Sequence, residues 1–174
     1  PVTEYNYVTT ALSYERTKLD FDRLLVAGIV QDFIDREGNE FDVIRLSAGF
    51  AYDTRNDTVF PTRGMLQRIR LESAVPGGDL NYYKLDFDTH YFIPVTRKWT
   101  LLLKGRLGYG DAYGETSELP FFENFFAGGP RTVRGYEENT LGPQDEFGRA
   151  IGGNILVVGN AEMIVPLTTG RRTP

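Results

Sequence analysis

Residues 83–93 split cleanly by parity: Tyr83, Leu85, Phe87, Thr89, Tyr91 and Ile93 on one set of positions, Lys84, Asp86, Asp88, His90 and Phe92 on the other. Successive side chains of a strand point to opposite faces, so this period of two describes a strand with one apolar and one charged face. Residues 99–109 repeat the design, with Trp99, Leu101, Leu103, Gly105, Leu107 and Tyr109 opposite Thr100, Leu102, Lys104, Arg106 and Gly108. Residues 65–75 set Met65, Gln67, Ile69, Leu71 and Val75 against Leu66, Arg68, Arg70, Glu72 and Ala74. Three further segments follow the pattern more loosely: Ile44 to Asp53, Val8 to Glu15, and Gly153 to Val165. In the last of these, Asn154, Asn160 and Glu162 share the polar set.

Soluble sheets are built from strands of roughly five or six residues, whereas a tilted strand needs about 9–11 to cross a bilayer. The segments here have the longer size. Tyr83, Tyr91, Trp99 and Tyr109 stand near strand ends, where an interfacial aromatic girdle would lie. A soluble barrel or sandwich, apolar inward and charged outward, gives the same alternation, so periodicity leaves both readings open. The connections favour the membrane: a long one near residues 18–42, the turn NDTVFPTRG, the loop VPGGDLN, the turn PVTRK, and a very long stretch near 111–152. Short turns on one side and longer loops on the other characterise outer-membrane barrels, and parity puts both long segments on one side, the extracellular one. DFDRLLVAGIVQDFIDREGN, in the first of them, has helical spacing at Phe21, Leu24, Leu25, Gly28, Ile29 and Phe33, with Asp20 or Asp22 as N-cap and Gly38 as stop. The alternative, LLVAGIV as a seventh strand, would shift the parity by one.

Composition removes several function classes. The 174 residues carry a net charge of −5, which gives no footing for nucleic acid. Without cysteine there can be no disulfide, thiolate metal site or cysteine nucleophile, and a single histidine argues against zinc or triad chemistry. His90 shares its face with Asp86 and Asp88, which reads as a solvated polar face rather than a metal site; Glu137 and Glu138 read as solvated surface. No uninterrupted apolar run approaches the ~18 residues of a membrane-spanning helix. The opening PVTEYNY is neither an initiator methionine nor a signal peptide, so the chain reads as a piece of a longer protein. Six strands fall short of the roughly eight that the smallest membrane barrels need.

The stretch FFENFFAGGPRTVRGYEEN, residues 121–139, is too aromatic for a disordered loop and must pack against something. Gly128, Gly129 and Gly135 allow unusual backbone angles and Pro130 and Pro143 fix φ, so the segment can fold back with Arg134 near its tip, between Val133 and Tyr136. A guanidinium held there calls for a carboxylate. Gly108 and Gly110 mark either strand curvature or a close approach of the loop.

FFENFFAGG, TVRGY and NTLGP in this order, then GGN and a strand ending in Glu162, resemble the Omp85 family of outer-membrane barrels, in particular its assembly-factor branch. The resemblance covers nearly the whole chain. It is most specific over 121–162, with DTRNDTVFPTRG and GGDLNYYKLDFDTHYFIPV consistent upstream. It implies an all-β fold, an antiparallel transmembrane segment of about six strands from a sixteen-stranded barrel, with residues 112–152 as an extracellular loop folded into the lumen. Val133, Arg134, Gly135 and Tyr136 become the loop motif and Glu162 the inner-wall carboxylate that receives Arg134. A second carboxylate, an aspartate of the following strand, would lie beyond this chain. The implied function is insertion and folding of β-barrel proteins in the bacterial outer membrane. Client strands would engage a seam between the first and last barrel strands. Partners would be membrane lipids, unfolded barrel clients and, through periplasmic domains outside this chain, accessory lipoproteins. No cofactor, nucleotide, metal or enzymatic activity is implied. The competing readings are a two-partner secretion transporter or autotransporter-assembly protein of the same family, and a passive porin.

Overall fold

A computed structural model describes residues 4–19 and 27–165. Six strands, β1 (Asn6–Lys18), β2 (Glu40–Asp53), β3 (Gly64–Ala74), β4 (Tyr82–Pro94), β5 (Thr100–Ala112) and β6 (Ile155–Ile164), form one antiparallel sheet in sequence order. Each is long enough to cross a hydrocarbon core, and the meander needs no crossover. One helix, α1 (Gly28–Glu37), interrupts the connection from β1 to β2. No described helix is long and apolar enough to cross a membrane.

The register aligns the apolar set across the whole sheet. Val8 faces Phe50, Phe50 faces Ile69, Ile69 faces Phe87, Phe87 faces Leu107 and Leu107 faces Val157, one residue from each strand. This face stays open, with Leu12 at 73% and Val157 at 74% exposure. A contiguous apolar surface of this extent marks a lipid contact. The other face carries the charges: Arg70 opposes Asp86, Arg68 opposes Asp88 and Asp88 opposes Arg106. An apolar exterior with a polar interior is the membrane barrel's arrangement, the reverse of a soluble one. Aromatics mark both ends of the outer face. Tyr83 and Tyr109 pack with ring centroids 6.1 Å apart at one end, and Tyr91 and Trp99 stand exposed toward the other.

The long connections 19–39 and 113–154 leave from the same end of the sheet, together with the short 75–81, and the turns 54–63 and 95–99 lie at the opposite end. Among the described residues the first long connection contains a helix and no extra strand, and β1 pairs directly with β2 in antiparallel register, so the parity stands. Ala27 is the N-cap of α1, extended and without a side-chain cap bond. The caps and spacing expected at Asp20, Phe21, Asp22, Leu24 and Leu25 lie outside the described residues. Gly38, with φ of 96°, closes the helix, its amide donating to the Ile34 carbonyl.

The buried core sits at the long-loop end of the inner face, where Phe41, Val43, Ala74 and Tyr82 of the sheet meet Phe33 of α1, Leu80 and Leu119. Phe121 and Phe122 complete an aromatic cluster with Phe33 and Phe41, at centroid distances of 5.3 to 6.2 Å. Two of the five phenylalanines of the long loop therefore belong to this core. That cluster also explains why β2 starts at Glu40 rather than Ile44. Phe41 and Val43 lie on the inner face, where alternation calls for polar residues, because the loop covers them.

Candidate functional site

The connection from β5 to β6 runs over the inner face of the sheet. Leu119 meets Gly110 and Phe125 meets Gly108; a Cβ at either glycine would come within 2.9 Å of those side chains. The two glycines are thus the hollows in which the loop rests, which decides between curvature and close approach. Phe125 is tied to the start of β6 by a reciprocal backbone pair with Gly153, at 2.8 and 3.0 Å. The Nζ of Lys84 lies 5.0 Å from the Phe125 ring centroid, within cation–π range.

Between Phe122 and Asn124, in a single 3₁₀ turn, Glu123 points into the wall. Its Oε1 accepts from Arg45 Nη2 at 2.7 Å and from the Tyr82 hydroxyl at 3.1 Å, and its Oε2 accepts from Lys84 Nζ at 3.0 Å. Arg45 also reaches Glu15 of β1, Nη1 to Oε2, at 3.1 Å. The Glu123 side chain is only 11% exposed. Removing a partner from a buried charge cluster costs about 3–5 kcal/mol, because the others are stranded. Glu123 was not among the residues the sequence singled out. The signal was present, as a lone carboxylate inside the aromatic run FFENFF.

Beyond Phe125 the loop narrows to a hairpin-like tip. Gly129 bridges Val133, the Gly129 amide donates to the Tyr136 carbonyl at 3.1 Å, and the Leu141 amide donates to the Ala127 carbonyl at 3.0 Å. The Thr132 hydroxyl donates to the Gly128 carbonyl at 2.6 Å and accepts from the Gly128 amide at 2.9 Å. Gly128 has φ of 114°. The side-chain amide of Asn160, on the inner face of β6, donates to the Thr132 carbonyl at 2.8 Å and fixes the tip against the wall.

Arg134 follows directly. Its Nη2 lies 3.4 Å from Glu162 Oε2, while Glu162 Oε1 accepts from Lys104 Nζ at 2.5 Å. Glu162 is therefore shared between the loop tip and the neighbouring strand, a partnership with Lys104 that the motif alone does not reveal. The Arg134 side chain is 69% exposed against 21% for Glu162. Such an open pair is worth about 0–1 kcal/mol. Val133 is half-buried in the bridge, whereas Gly135 and Tyr136 are exposed beside Arg134. Glu137 and Glu138 are exposed as well. His90 lies on the inner wall between Leu66 and Lys104, and among the described residues no group of three or more His, Cys, Asp or Glu could hold a metal ion.

Farther along, Asp145 accepts from the amides of Phe147 and Arg149 and from Arg149 Nε, at 2.9, 2.8 and 2.7 Å. Desolvation raises its pKa, but these donors win and hold it below the usual carboxylate range. Glu146, next to it, reaches α1, where its Oε1 accepts from the Gly28 amide at 2.6 Å. The first amide of the helix is thus met by the long loop.

Comparison with known proteins agrees with this architecture. The model of the Omp85 superfamily domain matches residues 1–173. The outer membrane protein assembly factor BamA of Neisseria meningitidis serogroup B is 34% identical over 96% of this chain, which spans 22% of that protein. The sorting and assembly machinery component 50 homolog B of Xenopus laevis is 32% identical over 70% of the chain, which covers 26% of its length. The crystal structure of BamA from Haemophilus ducreyi lacking POTRA domains 1–3 superposes with a TM-score of 0.85 at 27% identity, covering 98% of this chain and 36% of that one.

Proposed function

The chain belongs to the Omp85 superfamily, and from that premise we propose that it is the wall-and-loop portion of an outer-membrane assembly factor that inserts and folds other β-barrel proteins. The sheet is part of an integral outer-membrane barrel. Its relatives are named as assembly factors and assembly machinery, and the chain spans about a quarter of their length. Clients, accessory lipoproteins and the remaining strands therefore belong to the proposal.

The observation that carries the reading is the contact of Arg134, within TVRGY, with Glu162 on the inner face of β6 at 3.4 Å. Residues 112–152 act as a loop folded back along the lumenal wall. Gly128 and Gly129 shape it, and Val133, Arg134, Gly135 and Tyr136 form its working tip. The Arg134–Glu162 pair, worth about 0–1 kcal/mol in the open, serves as a contact from which Arg134 can part where client strands are handled, and Lys104 still holds Glu162 when it does.

Arg134→Ala in the full-length parent tests this. The surface yield of other outer-membrane proteins should fall several-fold, while the variant itself inserts at its normal level. An unchanged client yield with the variant at normal abundance would refute the role.

A further inference from the structure

Among the holds of the loop on the wall, the two that rest on a carboxylate differ greatly in strength, and the stronger is not the motif. At the tip, Arg134 is largely exposed and its single ionic contact is 3.4 Å long. At the foot, Glu123 is buried and draws three donors from two strands, Arg45 of β2 and Tyr82 and Lys84 of β4, at 2.7, 3.1 and 3.0 Å. Charge-assisted bonds in a desolvated site are the strong class, and those open to water are the weak one. Arg45 is stretched between Glu15 and Glu123 so that its buried Nε finds no partner. A guanidinium that leaves a buried donor unpaired is placed for bridging, since an orphaned donor costs free energy that its two ion pairs must outweigh. The cluster thus joins β1, β2, β4 and the loop. Hollows at Gly108 and Gly110 receive Phe125 and Leu119, which flank Glu123 at a short distance along the loop, and leave the foot little room to shift.

We propose that Glu123 is the positioning residue of the loop: its clamp by Arg45, Lys84 and Tyr82 sets where the motif lies, and the Arg134–Glu162 contact is a releasable latch at the end of an arm already fixed. The proposal rests on the reading of the motif as the working tip of an assembly factor, and it adds that the tip can let go of the wall while the foot stays. It also predicts opposite behaviour for two carboxylate contacts that look alike in the sequence.

The test uses the full-length parent in lipid bilayers, with nitroxides on cysteines introduced at Glu138, exposed beside the motif, and at Val95, exposed in the turn between β4 and β5. Pulsed electron-electron distance measurements report the spread of tip positions, and client yield is measured separately in cells. Glu123→Gln should at least double the width of the distance distribution and lower client yield three-fold or more. Glu123→Asp, which keeps the charge on a shorter arm, should recover over half of both. Arg134→Ala should leave the width as in the parent while lowering client yield. A Glu123→Gln distribution as narrow as the parent's, or an Arg134→Ala distribution equally broadened, would overturn the proposal. Broadening confined to Glu123→Gln with client yield untouched in every variant would uphold the clamp and refute the motif's role in assembly. If Glu123→Gln does not reach the membrane, Lys84→Gln removes one of the two ion pairs, and an unbroadened distribution there overturns the proposal equally.

Discussion

Adding one methyl group at Gly128 is expected to undo the tip of the long loop. Gly128 has φ of 114°, and a Cβ there would lie 2.2 Å from the carbonyl oxygen of Glu137 and 3.2 Å from the amides of Asn139 and Thr140. All three obstacles are backbone atoms, so no rotamer change relieves them. Left-handed strain costs about 1–3 kcal/mol and forced overpacking a similar amount, so Gly128→Ala should destabilise the docked tip by roughly 2–4 kcal/mol. The bonds that register it are the Gly129 and Leu141 amides, which donate across the tip. If they exchange by local opening, their hydrogen exchange should accelerate about 30- to 1,000-fold at ~1.4 kcal/mol per decade. The β3–β4 amides should keep their parent rates. Exchange at Leu141 within about three-fold of the parent rate would mean that the tip is not folded as described.

Leu107→Arg should have an effect of similar size on a different property. Leu107 lies near the middle of β5, on the outer face, between Phe87 and Val157. Its side chain meets lipid, and an arginine near the bilayer midplane costs about 2–4 kcal/mol in a membrane barrel. The adjacent inner position, Arg106, already carries that charge in a salt bridge with Asp86 at 2.9 Å. In the full-length protein refolded into bilayers, Leu107→Arg should lower the folding free energy by that amount, whereas Arg106→Leu should cost less. Equal tolerance of arginine at 107 and at 106 would mean that the outer face does not contact lipid.

β4 and β5 were legible because their two faces differ chemically along most of their length, so parity alone separates Leu85, Phe87 and Leu107 from Asp86, Asp88 and Arg106. The start of β2 was hidden by its environment. Phe41 and Val43 are apolar on the inner face because Phe122 and Phe33 cover them, a contact with residues far along the chain. The start of α1 was obscured in the same way, since its first amide, at Gly28, is met by Glu146 from far along the chain. Arg134 and Glu162 were legible through a motif and a parity. The clamp around Glu123 was not, because Arg45, Tyr82 and Lys84 become neighbours only when β2 and β4 flank β3. Local pattern identifies the wall, and the assembled sheet identifies what the loop grips.

The central claim is that the tip of the long loop lies against the inner face of β6, beside Asn160 and Glu162. Its most direct test is a disulfide between cysteines placed at Thr132 and Asn160, where the Asn160 side-chain amide donates to the Thr132 backbone carbonyl at 2.8 Å. The absence of cysteine from these 174 residues gives a clean background here. In the full-length protein in cells, this pair should cross-link well above background under mild oxidation. A control pair at Thr132 and Val157, with Val157 on the outer face, should not cross-link. Failure of the 132–160 pair to form in a protein otherwise folded and inserted, or equal cross-linking of the control, would contradict the docked loop.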